Sequence, residues 1–331
     1  MIYPKRPSAC LAICFPHSPF SRYRANSALR YRTMSTTNTP RSVPTKTLND
    51  GHAIPIIGFG TGTALYGKAA DAAVTQAINV GFRHLDGAQM YKNEDSLGVA
   101  ISQFAPRSSL FVTTKLGKAT PETVRELFLD SLKKLQVDYV DLFLIHTPTL
   151  IDGKIKETWA ELEKLKGEGL AKSIGVSNFR VKDLEELLAH AKIVPAINQI
   201  EFHPYVITQA QRILDFSNKH NIVIESYGGL TSVFRRPGGP VDAVVAKIKQ
   251  RLVDVSGNSG ITDGQVILKW LQAKGIVAVT TSSKKERLEE YLETYNLPDL
   301  KSEEVQKIDA AGTSEKFRQF VSEILSYPYR C

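Results

Sequence analysis

The sequence predicts an α/β chain folded as a closed (β/α)8 (TIM) barrel. An N-terminal β-hairpin, extra helices and a C-terminal substrate loop complete it. Three observations predict this. Strand-type and helix-type segments alternate about eight times across residues 47–331, and such alternation joins parallel strands through helical crossovers. That length suits a barrel with a few insertions. The competing open, doubly wound sheet calls for G-x-G-x-x-G between its first strand and helix, with an acid about 20 residues on. Gly58-Phe59-Gly60-Thr61-Gly62-Thr63 places Thr63 where the third glycine belongs.

Taken in order, Thr47-Leu48-Asn49-Asp50-Gly51 reads as a strand closing on Asp-Gly, a strong hairpin signal. Residues 54–57 return and lead into the glycine-rich stretch 58–63. A helix over 69–80 stops at Gly81, and a strand follows at 82–85. A helix near 93–103 precedes the strand 110–114. Thr120 and Pro121 open a strong helix to Leu135, the first as cap and the second at the first turn. Residues 140–145 are continuously apolar, as in a strand covered on both faces. Helices are then expected at 155–166, 181–190 and 208–219, with strands at 173–176, 196–200 and 222–226. A Gly- and Pro-rich loop, 228–240, leads to an extra helix near 241–255. The helix 261–273, capped by Thr262, the strand 277–280 and the helix 285–294 close the alternation. A short helix and an aromatic tail follow in 302–331.

The net charge of +8 resides in one segment. Residues 1–49 hold eight Lys and Arg and no acid, so the remainder is balanced and gives no footprint for nucleic acid. Residues 1–46 are rich in Arg, Ser and Pro without periodicity and are read as a disordered basic extension. It fits a misassigned start, with Met34 as the alternative, or a mitochondrial presequence over 1–33. The first reading places the protein in the cytoplasm, the second in the mitochondrion. Cys10, Cys14 and Cys331 suggest neither disulfides nor zinc, and no apolar run reaches membrane-span length. The barrel is expected as a monomer or weak dimer.

Three apolar strands run into an ionisable residue: Asp86, Lys115 and His146. Tyr91 follows Asp86 in a loop. A barrel gathers strand ends at one mouth, so these four groups would meet there. Singly, each would more often be a structural ion pair or core group. Together, Lys115 and Asp86 make a buried pair, and the cation should lower the Tyr91 pKa. Tyr91 could then protonate a developing alkoxide. A neutral His146 could hydrogen-bond the same carbonyl oxygen. This suits carbonyl reduction by a hydride-bearing cofactor. No ligand-spaced cluster favours metal chemistry, and no G-x-S-x-G elbow favours a serine hydrolase. His84, His203 and His220 read as structural.

Over residues 47–331 the chain resembles the aldo-keto reductases. The motifs that carry this are Phe82-Arg83-His84-Leu85-Asp86, Ala88-Gln89-Met90-Tyr91, Thr113-Thr114-Lys115 and Leu144-Ile145-His146-Thr147-Pro148. Gly175-Val176-Ser177-Asn178-Phe179 and Asn198-Gln199-Ile200-Glu201-Phe202-His203-Pro204 add to them. The resemblance implies an Asp86/Tyr91/Lys115/His146 tetrad with Tyr91 as proton donor and NADPH as hydride source. It implies that Ser177, Asn178 and Gln199 hold the nicotinamide carboxamide and that Tyr227 stacks on its ring. Thr280, Thr281, Ser282, Ser283, Lys284 and Arg287 would grip the 2′-phosphate. Gly62, Thr63, Asp86, Gly228, Leu230 and Glu290 complete the cofactor set. Leu65, Tyr66, Tyr91 and His146 would meet the substrate, with the loops 147–150 and 228–240 and the tail 317–329.

Departures from the family pattern are informative. Thr280-Thr281-Ser282 replaces Pro-Lys-Ser, so Lys284 is expected to stand in for the lysine, and Tyr291 occupies an asparagine position. Gly87 replaces Thr or Ser and should leave extra room or a looser turn. The Thr280-Thr281-Ser282-Ser283 run, with Gly60-Thr61-Gly62-Thr63 early on, resembles a fungal branch that reduces α-dicarbonyls, α-keto amides and conjugated polyketones such as ketopantoyl lactone. The alternatives are a sugar (xylose-type) aldose reductase and a non-catalytic NADPH-binding regulatory subunit.

Overall fold

The computed structural model describes residues 43–320. Residues 1–42 of the expected extension, residues 321–331 of the tail, and all three cysteines lie outside the described residues. The antiparallel hairpin is β1 (Thr45–Thr47) and β2 (Ala53–Pro55), with Thr47 opposite Ala53. It begins two residues ahead of the boundary read at Thr47. Then come β3 (Ile57–Gly60), α1 (Asp71–Val80), β4 (His84–Asp86), α2 (Glu94–Ser102), β5 (Phe111–Leu116), α3 (Val124–Leu135) and β6 (Val140–Ile145). The middle of the chain holds α4 (Ile155–Gly167), β7 (Ala171–Ser177), α5 (Val181–Leu188), β8 (Ile197–Glu201), α6 (Ile207–Lys219) and β9 (Val223–Tyr227). The rest is α7 (Thr231–Phe234), α8 (Pro240–Ser256), α9 (Asp263–Ala273), β10 (Val277–Thr280), α10 (Lys285–Glu293) and α11 (Ser302–Thr313).

The eight strands β3 to β10 close into a parallel barrel, β10 pairing with both β3 and β9. The expected (β/α)8 architecture is present. The main departure is β3. Residues 58–60, left outside the strand expected at 54–57, belong to the first barrel strand, pairing Gly58 with His84 and Gly60 with Asp86. Its inward positions carry no side chain because the space is taken. A Cβ on Gly58 would lie 2.7 Å from His84 Nδ1. Without side chains at those positions, the alternation that marks a strand is not visible. In the loop 228–240, α7 forms a single turn before α8.

Elsewhere local chemistry fits the observed elements. Thr262 caps α9, its Oγ1 accepting from Gln265 N at 3.2 Å while Gln265 Oε1 accepts from Thr262 N at 3.1 Å. Phe143 and Ile145 point outward into the core beneath the helices, where the Phe143 and Phe128 rings lie 4.5 Å apart. Leu142 and Leu144, on the opposite face of β6, turn into the barrel with Phe111, Ile197, Val223 and Val277. Leu48 and Ile54 of the hairpin cover this inner layer from below. Each fully buried aliphatic side chain stabilises the fold by ~1.5–3 kcal/mol. No helix among the described residues is long and apolar enough to cross a membrane.

Candidate active site

Side chains alternate along a strand, so residues two apart share a face. On β5 the inward set runs Phe111, Thr113, Lys115, and on β6 it runs Leu142, Leu144, then His146 just past the strand end. On β4 it runs His84 to Asp86. Tyr91 comes from a 3-10 turn over Gln89–Tyr91 that follows β4. The fold therefore brings all four predicted groups together. Lys115 Nζ donates to both Asp86 carboxylate oxygens at 2.7 Å, to the Gly87 carbonyl at 2.9 Å and to Tyr91 Oη at 3.3 Å. The Tyr91 and His146 rings meet edge-on with centroids 5.5 Å apart. Lys115 is fully buried and Asp86 nearly so.

One electrostatic expectation is corrected. Lys115 does pull the Tyr91 pKa down, but burial is the larger influence and the net shift is upward. The phenol is largely withdrawn from water, and a phenolate there would lose much of its hydration. Tyr91 therefore stands fully protonated at neutral pH. For Lys115, burial pulls downward, but Asp86 and Tyr91 outweigh it, and the ammonium persists. Burial and the Lys115 charge push His146 down to about 3, so its imidazole is neutral, as expected. Its Nδ1 is buried without a hydrogen-bond partner among the described residues, which leaves Nε2 to face a ligand.

A fifth ionisable group lies beneath these four. Glu225 of β9 is fully buried, and its Oε2 accepts from Gln199 Nε2 at 2.9 Å. The same amide nitrogen donates to Asp86 Oδ1 at 2.8 Å. Burial, then the Asp86 charge, push the Glu225 carboxyl up to about 8. His84 Nε2 stands 3.6 Å from Glu225 Oε1, but burial holds this imidazole down at about 4, uncharged. Sequence reading missed Glu225. It sits mid-strand two residues before Tyr227, and that spacing on an inward face was the available signal.

Asp86, Tyr91 and His146 open onto a cleft of about 960 Å³, with Lys115 buried behind them; the cleft is large enough for a cofactor and a small substrate. Gly62, Thr63, Tyr66, Ser177, Asn178, Gln199, Tyr227, Gly228, Leu230, Thr280, Thr281 and Arg287 line it, as expected, and so does Tyr291. Tyr227 Oη donates to Asn178 Oδ1 at 2.7 Å, while Asn178 Nδ2 donates to the His146 carbonyl at 3.0 Å. Gln199 has committed both amide hydrogens, so its carbonyl oxygen is what remains for a ligand. Gly62 is needed where it is, since a Cβ would lie 2.7 Å from the Tyr91 ring. Thr147, Thr149 and Leu150 also reach the wall.

Other expected residues do not line the cleft. Leu65 packs on the core and its carbonyl accepts from Asn93 Nδ2 at 2.9 Å. Glu290 ties α10 to α9, its Oε1 accepting from Thr262 Oγ1 at 2.5 Å. Ser282, Ser283 and Lys284 form the turn into α10, Ser282 Oγ accepting from Lys284 N at 3.0 Å. Gly87 leaves no extra room. A Cβ there would meet Leu97 Cδ2 at 2.9 Å, because Leu97 fills the space. Phe234 and Arg235 of the loop 228–240 and Phe320 of the tail line the cleft, in segments expected to do so, and so does Met90, which was not singled out for it.

Comparison with known proteins agrees with this geometry. The chain is 36% identical over 285 residues to an NAD/NADP-dependent indole-3-acetaldehyde reductase of Schizosaccharomyces pombe, covering 83% of this chain and 97% of that one. It is 35% identical over 281 residues to a glyoxal reductase of Bacillus subtilis, covering 84% and 96%. A Bombyx mori aldo-keto reductase solved in complex with NADP superposes with a TM-score of 0.75 at 30% identity, covering 87% of this chain and 98% of that one. The sequence model described as the Aldo/keto reductase family matches residues 57–313. A closed barrel, four ionisable groups gathered at one mouth and a family match over nearly all of that barrel converge: the chain belongs to the aldo/keto reductase family.

Proposed function

We propose that the protein reduces aldehydes and ketones to alcohols with NADPH, and that Tyr91 supplies the proton. The observation that carries this is the placement of the Tyr91 hydroxyl. It lies 3.3 Å from a buried ammonium, beside a neutral imidazole, at the head of a cleft that extends to Arg287.

The cleft suits a nicotinamide dinucleotide in the chemistry of its walls. Amide and hydroxyl groups of Ser177, Asn178 and Gln199, with the Tyr227 ring, match a carboxamide-bearing ring at one end. Thr280, Thr281 and Arg287 offer hydroxyls and a guanidinium to a phosphate at the other. Bound there, NADPH supplies the hydride. The protein's own part is to place and protonate. His146 donates to the carbonyl oxygen and orients it. Tyr91 gives its proton to that oxygen as alkoxide character develops, a favourable transfer because an alkoxide is more basic than a phenolate. Lys115 stabilises the phenolate left behind, and Asp86 holds Lys115 charged and in place.

Small dicarbonyls and aldehydes are the substrate class we favour, with α-keto amides and conjugated polyketones such as ketopantoyl lactone beside them. Support comes from the mainly apolar mouth and from similarity to reductases named for glyoxal and indole-3-acetaldehyde. A non-catalytic subunit would have no use for Asp86, Lys115, Tyr91 and His146 linked in one chain of contacts. The test is Tyr91→Phe. Turnover of aldehydes and dicarbonyls should fall at least about a hundredfold, while NADPH binding, followed by fluorescence, persists. A variant reducing carbonyls at the wild-type rate would sink the assignment.

A further inference from the structure

Residues 314–320, after α11, reach the cleft at Phe320 and are held by one buried carboxylate. Glu201, the last residue of β8, is 1% exposed. Its Oε1 accepts from Gln319 N at 2.6 Å, and its Oε2 accepts from Phe320 N at 3.3 Å and from Arg318 Nη1 at 3.4 Å. His203 Nε2 lies 3.2 Å from Oε1 on the other side. Three donors from consecutive residues of the segment thus converge on one side chain more than a hundred positions away. Two weaker ties flank this latch. Phe317 N donates to the Tyr205 carbonyl at 3.3 Å, and Arg236 Nε donates to Glu315 Oε1 at 2.5 Å.

The latch decides where Phe320 sits. Its ring meets Tyr227 edge-on, centroids 5.9 Å apart, and the Arg235 guanidinium lies 5.5 Å from its centre. Gly228 makes room for it. The residue adopts φ +66°, and a Cβ there would stand 2.8 Å from the Phe320 ring. Glu201 and Tyr227 are paired in register across β8 and β9. The anchor and the ring that Phe320 covers are therefore neighbours on the same barrel edge. Tyr66, Met90 and Phe320 line the same cleft and give its walls an aromatic, apolar character.

We propose that Glu201 is a positioning residue that fastens segment 315–320 at the cleft, and that Phe320, placed by it against Tyr227, selects flat conjugated or aromatic carbonyl compounds over polyhydroxylated ones. The selectivity rests on the reductase reading above; the fastening does not. A flat unsaturated substrate gains ring contact with Phe320, whereas a sugar aldehyde would have its hydroxyls stripped of water against the same wall.

The experiment compares wild type, E201Q, F320A and Tyr91→Phe. Hydrogen exchange of the cofactor-free protein reads the latch. Kinetics with 1-phenyl-1,2-propanedione and D-xylose read selectivity. In folded E201Q, exchange at Gln319 and Phe320 should quicken roughly tenfold or more, the scale of losing charge-assisted hydrogen bonds. The dione-to-xylose ratio of kcat/KM should fall roughly threefold to tenfold, the scale of one aromatic contact, mainly through KM for the dione. F320A should lower that ratio while Gln319 stays protected. Unchanged protection in E201Q overturns the anchoring role. Lost protection with an unchanged ratio overturns the selectivity role. Should E201Q not fold, an unchanged ratio in F320A alone overturns the proposal. Tyr91→Phe with full turnover would instead bring down the reductase reading and leave the exchange result standing.

Discussion

At the end of the barrel nearest the hairpin, Phe111, Leu142, Leu144, Ile197, Val223 and Val277 meet Leu48 and Ile54 in an apolar cluster. Farther along the same strands the inward residues change character: Lys115 beyond Phe111, His146 beyond Leu144, Gln199 beyond Ile197, Glu225 beyond Val223. These steps of two residues, four on β5, rise only about 7–14 Å. Over that distance the interior passes from packing to a connected set of charges and amides. Both layers are buried, so exclusion from water does not distinguish them. What distinguishes them is how burial acts. Below, it stabilises each side chain directly. Above, it is unfavourable for every ionised group, and the layer stands because Lys115, Asp86 and Gln199 satisfy one another.

Breaking that mutual satisfaction should have the largest effect. Lys115→Met leaves Asp86 buried without its cation. We expect turnover to be lost and stability to drop by about 3–5 kcal/mol, measured by denaturant unfolding. Leu142→Ala tests the lower layer by itself. It should destabilise by roughly 2–5 kcal/mol through lost contact and a cavity while the KM for substrate stays near wild type. A large KM change would show that the layers are not independent.

Glu225 sharpens the contrast through pH. Its folded pKa of about 8 lies above the ordinary 4.5, so the unfolded chain releases this proton first. Its contribution is therefore fully present below pH 4.5 and is lost as pH rises from about 4.5 towards 8. Glu225→Gln should flatten that decline, with a gain on the order of 3 kcal/mol near neutral pH. Unfolding midpoints across pH check it, and a decline as steep as in wild type would refute it. The smallest effect is expected at the rim. Arg287→Ala should weaken NADPH binding by roughly tenfold relative to NADH, the scale of one charge-assisted contact, as read by cofactor titration.

Much of this was legible in the residue order. β6 and β10 coincide with the apolar runs that predicted them, and α9 starts where Thr262 said it would. Asp86, Tyr91, Lys115 and His146 were identifiable as strand-end chemistry before any contact was known. β3 was not legible, because glycine at its inward positions erases the alternation that a strand pattern needs. Leu65 and Glu290 could not be separated from true cleft residues, since Leu65 packs against the core and Glu290 turns to Thr262, contacts that no local pattern announces.

The sequence by itself determined the barrel, the order of its elements and the four kinds of side chain at its mouth. Each of these follows from local period and residue type, which neighbours in the chain suffice to set. Only the tertiary structure decided that burial outweighs Lys115 at Tyr91, that Glu225 shares an amide with Asp86, and that Glu201 holds the segment bearing Phe320. Desolvation and convergent hydrogen bonds are sums over groups brought close by folding, and no stretch of the chain contains those sums.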